Sequence, residues 1–417
     1  MSGPGEINAG SMNASGRRAR FTARGLHAES RALHIGRIRW GTPAWLVVIA
    51  ALLLSILGIL AISTTEPGFA RRQAFFLPIA LMAALIVAVP DYRLVRRAVP
   101  ALSIITLLLL VFVLIPLVPT WLVRPYNGAR RWINLGLMDF QPSELAKVVW
   151  VLAMATWFRL RPNLKSVWGF ILPFLVTMIP MGLIVVEPDL GTALLFIPTL
   201  MAMLLAGGAR LRHLFIIVLV GTVAVAAVLF TPVKGYLKSH QQDRIDALVA
   251  QVKGDDRYRD DIGFQGDRAM TIAGAGGITG LGAERTATLV RFNALPEDHN
   301  DMIFAVLTCR WGALGAMSTF LVYLVLAVGG FVTAALARDL FGRLLATGLV
   351  AMLFVQMLIN AGMTIGILPI TGMTLPFVSS GGSSLVMTWL MVGLVLNVGL
   401  RRPLRMERWE GASEEHA

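Results

Sequence analysis

Ten long apolar stretches, each bounded by charges or turn residues, constrain this chain more than any other feature. They lie near residues 44–62, 73–89, 101–118, 144–158, 167–186, 190–206, 214–231, 302–334, 344–368 and 383–400. Most reach the length of about 20 residues that crosses a bilayer; the short fourth must tilt little or thin the bilayer locally. A water-soluble chain of 417 residues needs amphipathic helices rather than uniformly apolar ones. Only 15% of these residues are charged, where soluble proteins carry about 25%. The expectation is an all-α polytopic membrane protein with ten transmembrane helices.

An even count of spans puts both termini on one side, and the basic residues choose which. With the termini in the cytoplasm, 21 Lys and Arg fall in inner segments and 5 in the short outer loops. The long connection 232–301 holds 9 more, and Lys147 and Arg310 lie within spans. That asymmetry predicts an N-in, C-in topology, with 232–301 as a large outer loop. It also accounts for the net charge of +13 without nucleic acid. Residues 1–40 read as a disordered basic tail in reach of anionic inner-leaflet lipid, 41–402 as the membrane domain, and 403–417 as a second cytoplasmic tail. The first apolar run stands too far from the start, with no cleavage-like end, for a signal peptide. One cysteine, Cys309, excludes a disulfide framework and a thiolate metal site. The glycine-rich run Gly274–Gly282 lacks the preceding strand and the spacing of a dinucleotide loop.

Polar residues are expensive at membrane depth, so where they gather is informative. Four clusters stand out: Asn127–Ile133 with Phe140–Lys147, Glu187–Thr192, Leu295–Phe304, and Gly366–Ser384. In the predicted topology they precede the fourth, sixth, eighth and tenth spans, so all occupy outer helix N-termini. Such ends present free N–H groups and partial positive charge, and Arg130, Arg131 and Lys147 add full charges. The arrangement predicts an outer-face site for a polyanionic lipid head group, a phosphate or pyrophosphate. Plainer roles stand beside this one. Ser143 and Ser379 suit N-caps, Glu144 and Lys147 suit an i,i+3 ion pair, and Arg130 and Arg131 suit interfacial lipid phosphates. His299, with no second His or Cys nearby, suits a structural hydrogen bond better than a metal. Asp301 directly abuts Met302-Ile-Phe-Ala-Val, where a low-dielectric setting raises a carboxylate toward useful basicity.

Together these motifs resemble the SEDS family (shape, elongation, division and sporulation) over roughly residues 44–400. The resemblance rests on Asn127-Gly-Ala-Arg-Arg-Trp-Ile133, Gln141-Pro-Ser-Glu-Leu-Ala-Lys147, Pro188-Asp-Leu-Gly-Thr192 and Leu368-Pro-Ile-Thr-Gly-Met-Thr-Leu-Pro-Phe377 before Gly381-Gly-Ser-Ser384. It implies a peptidoglycan glycosyltransferase that polymerises lipid II, the undecaprenyl-pyrophosphate-linked precursor, with a class B penicillin-binding protein as partner. It also implies Asp301 as the catalytic base. The substrate contacts then fall to Arg130, Arg131, Glu144, Lys147, Asp189, His299, Ser379, Gly381, Gly382 and Ser383. Such chemistry needs a base for the acceptor hydroxyl and positive groups for the departing pyrophosphate. A divalent cation, Mg2+ or Mn2+, can assist the second task.

The chain departs from the family pattern at several places. Asn300 stands for the usual Thr, Ser380 for a common Tyr, Glu187 for the usual Gln, Arg268-Ala269 for Gln-Ser, and Cys309-Arg310 for a Glu-Glu pair. A cation at the depth of Arg310 calls for an anionic partner, with Glu187 the first candidate and Glu144 the second, unless Arg310 meets a polar cavity or snorkels. Two other functions compete with catalysis: a lipid-linked sugar transporter, and a scaffold that only regulates a penicillin-binding protein. The inner loops are short and mainly basic, which gives alternating access little support.

Overall fold

The computed structural model of the chain describes residues 40–126, 129–136, 138–160, 167–212, 214–216, 218–219 and 264–401. Three helices open it: α1 (Ala44–Thr65), α2 (Pro67–Ala88) and α3 (Tyr92–Leu114). A small antiparallel sheet follows, β1 (Val123–Tyr126), β2 (Ala129–Asn134) and β3 (Asp139–Phe140), in the order β1-β2-β3. Next come α4 (Pro142–Leu160), α5 (Val167–Val186) and α6 (Leu190–Ala206). Two shorter helices, α7 (Phe264–Ala275) and α8 (Gly282–Phe292), precede α9 (Ile303–Ala335), α10 (Leu340–Thr364) and α11 (Gly382–Leu400).

Six of these helices are long and apolar enough to cross a membrane: α1, α2, α3, α9, α10 and α11. Shorter apolar helices cover Ile171–Val186 and Leu190–Ala206. The chain is thus a largely helical, polytopic membrane protein. Most of the seventh expected span, 214–231, and both terminal tails lie outside the described residues. Helix ends differ from the hydropathy reading for local reasons. Helix α2 starts at Pro67, a residue preorganised for a first turn, and α3 starts at Tyr92 because Asp91 accepts the Arg93 N–H. Hydropathy marks the lipid-facing stretch, whereas caps mark where helix begins.

The three-stranded sheet adds to the all-α expectation. Its sequence signal is Asn127-Gly128, the pair characteristic of a tight hairpin, between segments that pair Tyr126 with Ala129 and Val123 with Ile133. The sheet carries the first polar cluster onto the start of α4.

Helices α10 and α11 form the centre of the bundle, whereas α2 and α3 expose broad apolar faces such as Phe75, Met82, Leu85, Ile104 and Leu108. Helix α11 packs closely on α2 because Gly393 lets backbones meet; a Cβ there would sit 2.3 Å from the Ala84 carbonyl oxygen. Helix α9 is broken at Gly312, with φ 69° and ψ −167°. The glycine-rich run fills that break. Ala313 N–H donates to the Gly277 carbonyl (2.8 Å), Leu314 N–H to the Ile278 carbonyl (3.1 Å), and Leu281 N–H to the Cys309 carbonyl (2.9 Å). The run is therefore a backbone clasp on α9, which satisfies groups that the broken helix leaves open.

Candidate functional site

Helices α4, α6, α9 and α11 begin close together, and hydrogen bonds lock their leading segments into one site. From β2, Arg131 donates through Nε to the Glu187 carbonyl and through Nη2 to the Pro188 carbonyl, both at 2.6 Å. Ahead of α4, Gln141 donates its side-chain amide to Asp189 Oδ2 (3.0 Å) and its backbone N–H to Ser383 Oγ (3.3 Å). Ser143 donates to the same Asp189 Oδ2 at 3.1 Å, and Asp189 Oδ1 caps α6 by accepting the Thr192 N–H. The third and fourth segments join through Ser379 Oγ, which donates to the Asn300 carbonyl (2.7 Å), and through Ser380 N–H, which donates to the His299 carbonyl (2.9 Å). Glu297 and Phe377 hold left-handed φ values of 52° and 67° there. Such strain persists only where surrounding contacts over-determine the backbone.

Asp301 lies two residues before α9. Among the described residues its carboxylate has no hydrogen-bond or ion-pair partner. Gly372 flanks it, with an added Cβ falling 3.4 Å from Oδ2. Burial pushes its carboxyl up to about 7, with Glu297 and Asp189 adding to the shift and Arg131 and His299 opposing it. A carboxylate so poised is matched to general-base work near neutrality. His299 stacks on Phe69 with ring centroids 4.1 Å apart, and its Nδ1 lies 3.0 Å from Asp298 Oδ1. Burial pulls the imidazole down, but the Asp298 hydrogen bond and the nearby acids outweigh it, leaving a net upward shift.

Lys147 is fully buried and donates to Glu144 Oε1 at 2.8 Å and to Gln356 Oε1 at 3.2 Å. The expected i,i+3 pair is present, so this cation belongs to the site's internal wall. Arg130 turns elsewhere, donating to the Pro116 and Val118 carbonyls. Arg131 is therefore the expected arginine whose charge reaches both Asp301 and Glu187. Ser143 and Ser379 bridge segments instead of capping helices, and the N-terminus of α11 at Gly381 has no side-chain cap. Gly382 starts α11 against the Phe76 ring.

Arg310 does not meet Glu187 or Glu144 in any ion pair among the described residues. Its Nη1 donates to the Leu60 carbonyl and to Thr64 Oγ1 (2.7 Å), and its guanidinium lies over the Trp311 ring at 4.3 Å. The Leu60 carbonyl and the Thr64 hydroxyl of α1 accept from it in place of an acid. Glu187 is left buried, with both carboxylate oxygens unpartnered among the described residues. Burial, reinforced by Asp189, pushes it up to about 8 against the pull of Arg131.

The sequence reading passed over three amides that hold the site. Gln73 of α2 donates to the Ser379 carbonyl (3.0 Å) and accepts the Gly381 N–H (3.2 Å). Gln356 and Asn360 of α10 face the site from the bundle centre. For Gln356 and Asn360 the signal is an amide in an otherwise apolar span, the same cost criterion that marks the loop clusters, whereas Gln73 follows Arg71-Arg72 and carries no such signal. As for metal, no group of three or more His, Cys, Asp or Glu among the described residues is placed to hold an ion.

Residues 40–402 match the Cell cycle protein family, FTSW_RODA_SPOVE. Stage V sporulation protein E of Bacillus subtilis (strain 168) is 33% identical over 373 residues, covering 86% of this chain and 97% of its own. Peptidoglycan glycosyltransferase MrdB of Escherichia coli (strain K12) is 31% identical over 368 residues, covering 87% and 94%. Among solved structures, a chain of a peptidoglycan synthase complex superposes with a TM-score of 0.71 at 32% identity, over 87% of this chain and 97% of that one. Rod shape determining protein RodA of Thermus thermophilus gives 0.63 at 28% identity, over 88% and 98%. Matching along nearly the whole described length, in sequence and in fold, the chain belongs to the FtsW/RodA/SpoVE family.

Proposed function

We propose that this chain polymerises lipid II into glycan strands, with Asp301 as the general base. It is a multi-pass protein of the bacterial cytoplasmic membrane and a glycosyltransferase of the peptidoglycan-building kind, like the relatives named above. The observation that carries the reading is the burial-raised carboxylate of Asp301, without a hydrogen-bond partner among the described residues, beside Arg131 and near the N-terminus of α11. Asp301 takes the proton of the acceptor sugar hydroxyl as that oxygen attacks the anomeric carbon of the donor. The bond to the pyrophosphate breaks, and its negative charge develops toward Arg131 and the N–H groups of Gly382 and Ser383. Glu144 and Lys147 hold the wall, Asp189 ties α4 to α6, and His299, Ser379 and Gly381 set the floor. Arg130 serves by pinning the loop before the sheet.

In this reading the site faces outward, with ten spans and both termini inside, and a class B penicillin-binding protein cross-links the product. The test is purified protein with fluorescent lipid II in detergent, with and without such a partner, resolved on a gel. A ladder of glycan strands supports polymerase function. Lipid II movement across vesicles without any ladder would favour transport, and neither result with partner stimulation intact would leave a scaffold.

A further inference from the structure

Helix α10 is apolar along most of its length, yet it carries Gln356 and Asn360 one turn apart, both essentially inaccessible to solvent. Each amide ties two parts of the site together. Asn360 Nδ2 donates to the Asp301 carbonyl at 2.9 Å and to the Met373 carbonyl at 2.6 Å. Gln356 Oε1 accepts from Lys147 Nζ at 3.2 Å, while its Nε2 donates to the Thr374 carbonyl at 2.9 Å. The two helical positions thus engage consecutive carbonyls of the fourth segment. One also holds the backbone of the proposed base, and the other the buried cation.

We propose that Asn360 and Gln356 are positioning residues for glycosyl transfer, Asn360 acting through Asp301 and Gln356 through Lys147. Packing does not explain Asn360. Its Oδ1 is buried with no hydrogen-bond partner among the described residues, a penalty that a leucine of similar size would avoid. The identity of the side chain is explained by its two donated bonds, which no apolar residue can make. Because α10 is a rigid element at the bundle centre, four residues of rise, about 6 Å, fix the spacing between the base and the buried cation of the wall. Displacing a reacting group by about 1 Å lowers turnover by up to 10²-fold without preventing binding.

The proposal rests on Asp301 being the base, so Asp301→Asn is assayed alongside. For Asn360→Ala, kcat for lipid II polymerisation should fall about 10- to 100-fold with KM within about twofold. For Gln356→Ala, which leaves Lys147 with Glu144 alone, KM should rise about tenfold with kcat nearly kept. Asn360→Ser retains one donor and should recover part of the lost kcat; it also carries the same measurement if the alanine variant fails to accumulate. Wild-type kinetics for Asn360→Ala beside an inactive Asp301→Asn would overturn the positioning role and leave the base intact. Full activity of Asp301→Asn would overturn both. Equal losses in kcat and KM for both amide variants, tracking a lowered melting temperature, would reduce the pair to packing.

Discussion

Replacing Glu187 by Gln should stabilise the protein, and by an amount that depends on pH. The carboxyl sits in the turn between α5 and α6, buried, with neither oxygen hydrogen-bonded among the described residues. Arg131, whose charge reaches the group, gives its Nε and Nη2 to backbone carbonyls instead. Burial and Asp189 raise the group from an ordinary 4.5 to about 8. Between those values the native state holds a proton that the unfolded chain has released, so stability falls as pH rises across that window and levels off above it. At 1.36 kcal/mol per pH unit, the penalty is near zero below pH 4.5, about 3 kcal/mol at pH 7 and approaches about 5 kcal/mol above pH 8. Glutamine never ionises, and its amide faces the same unpartnered surroundings as the protonated acid. Glu187→Gln should therefore match the wild type near pH 5 and exceed it by a few kcal/mol at pH 8. Thermal unfolding of the detergent-purified proteins, followed by tryptophan fluorescence at pH 5, 7 and 8.5, measures this. Parallel pH profiles for the two proteins would refute the reasoning, because they would mean that Glu187 is ionised and solvated in the native state.

Two further substitutions probe the scaffold. Gly280 has φ +86°, and a Cβ there would lie 2.2 Å from the Arg310 carbonyl oxygen. Gly280→Ala should therefore loosen the clasp on α9 and cost about 2–4 kcal/mol, read as a lowered melting temperature with faster proteolysis at the α7–α8 connection. Glu144→Gln should cost about 3–5 kcal/mol by leaving the buried Lys147 with neutral amide oxygens and no counter-charge. The double variant Glu144→Gln with Lys147→Met should unfold at a higher temperature than Glu144→Gln alone; a lower one would mean that the pair is not the source of the loss.

Much of this organisation was legible in the residues, because a lipid environment makes polar placement costly. The expectation that Glu187–Thr192, Leu295–Phe304 and Gly366–Ser384 converge with the start of α4 rested on helix N-termini sharing a level. The bonds from Gln141 to Asp189, and from Ser379 to Asn300, join those same segments. What stayed hidden was direction. Nothing in Arg130-Arg131 says that one guanidinium turns toward Pro116 and the other toward Glu187, since neighbouring strand residues point to opposite faces. Arg310 was expected to seek an acid because charge suggests charge, yet the carbonyl of Leu60 and the hydroxyl of Thr64 suffice for a guanidinium with five donors. The glycine run 274–282 lacks the spacing of a dinucleotide loop. Its role as a backbone clasp depends on a break at Gly312 that no hydropathy profile reveals.

The central claim is that Asp301 removes the proton of the acceptor hydroxyl, and the initial rate of lipid II polymerisation across pH 5.5 to 8.5 tests it most directly. With the carboxyl raised to about 7, the wild-type rate should climb through pH 7 as the base loses its proton and then level off. Asp301→Asn, whose amide cannot accept that proton, should lose on the order of 10²-fold or more at the plateau and show no limb near pH 7, while still inserting in membranes. Wild-type glycan ladders from Asp301→Asn, or an unchanged limb in its profile, would contradict the account.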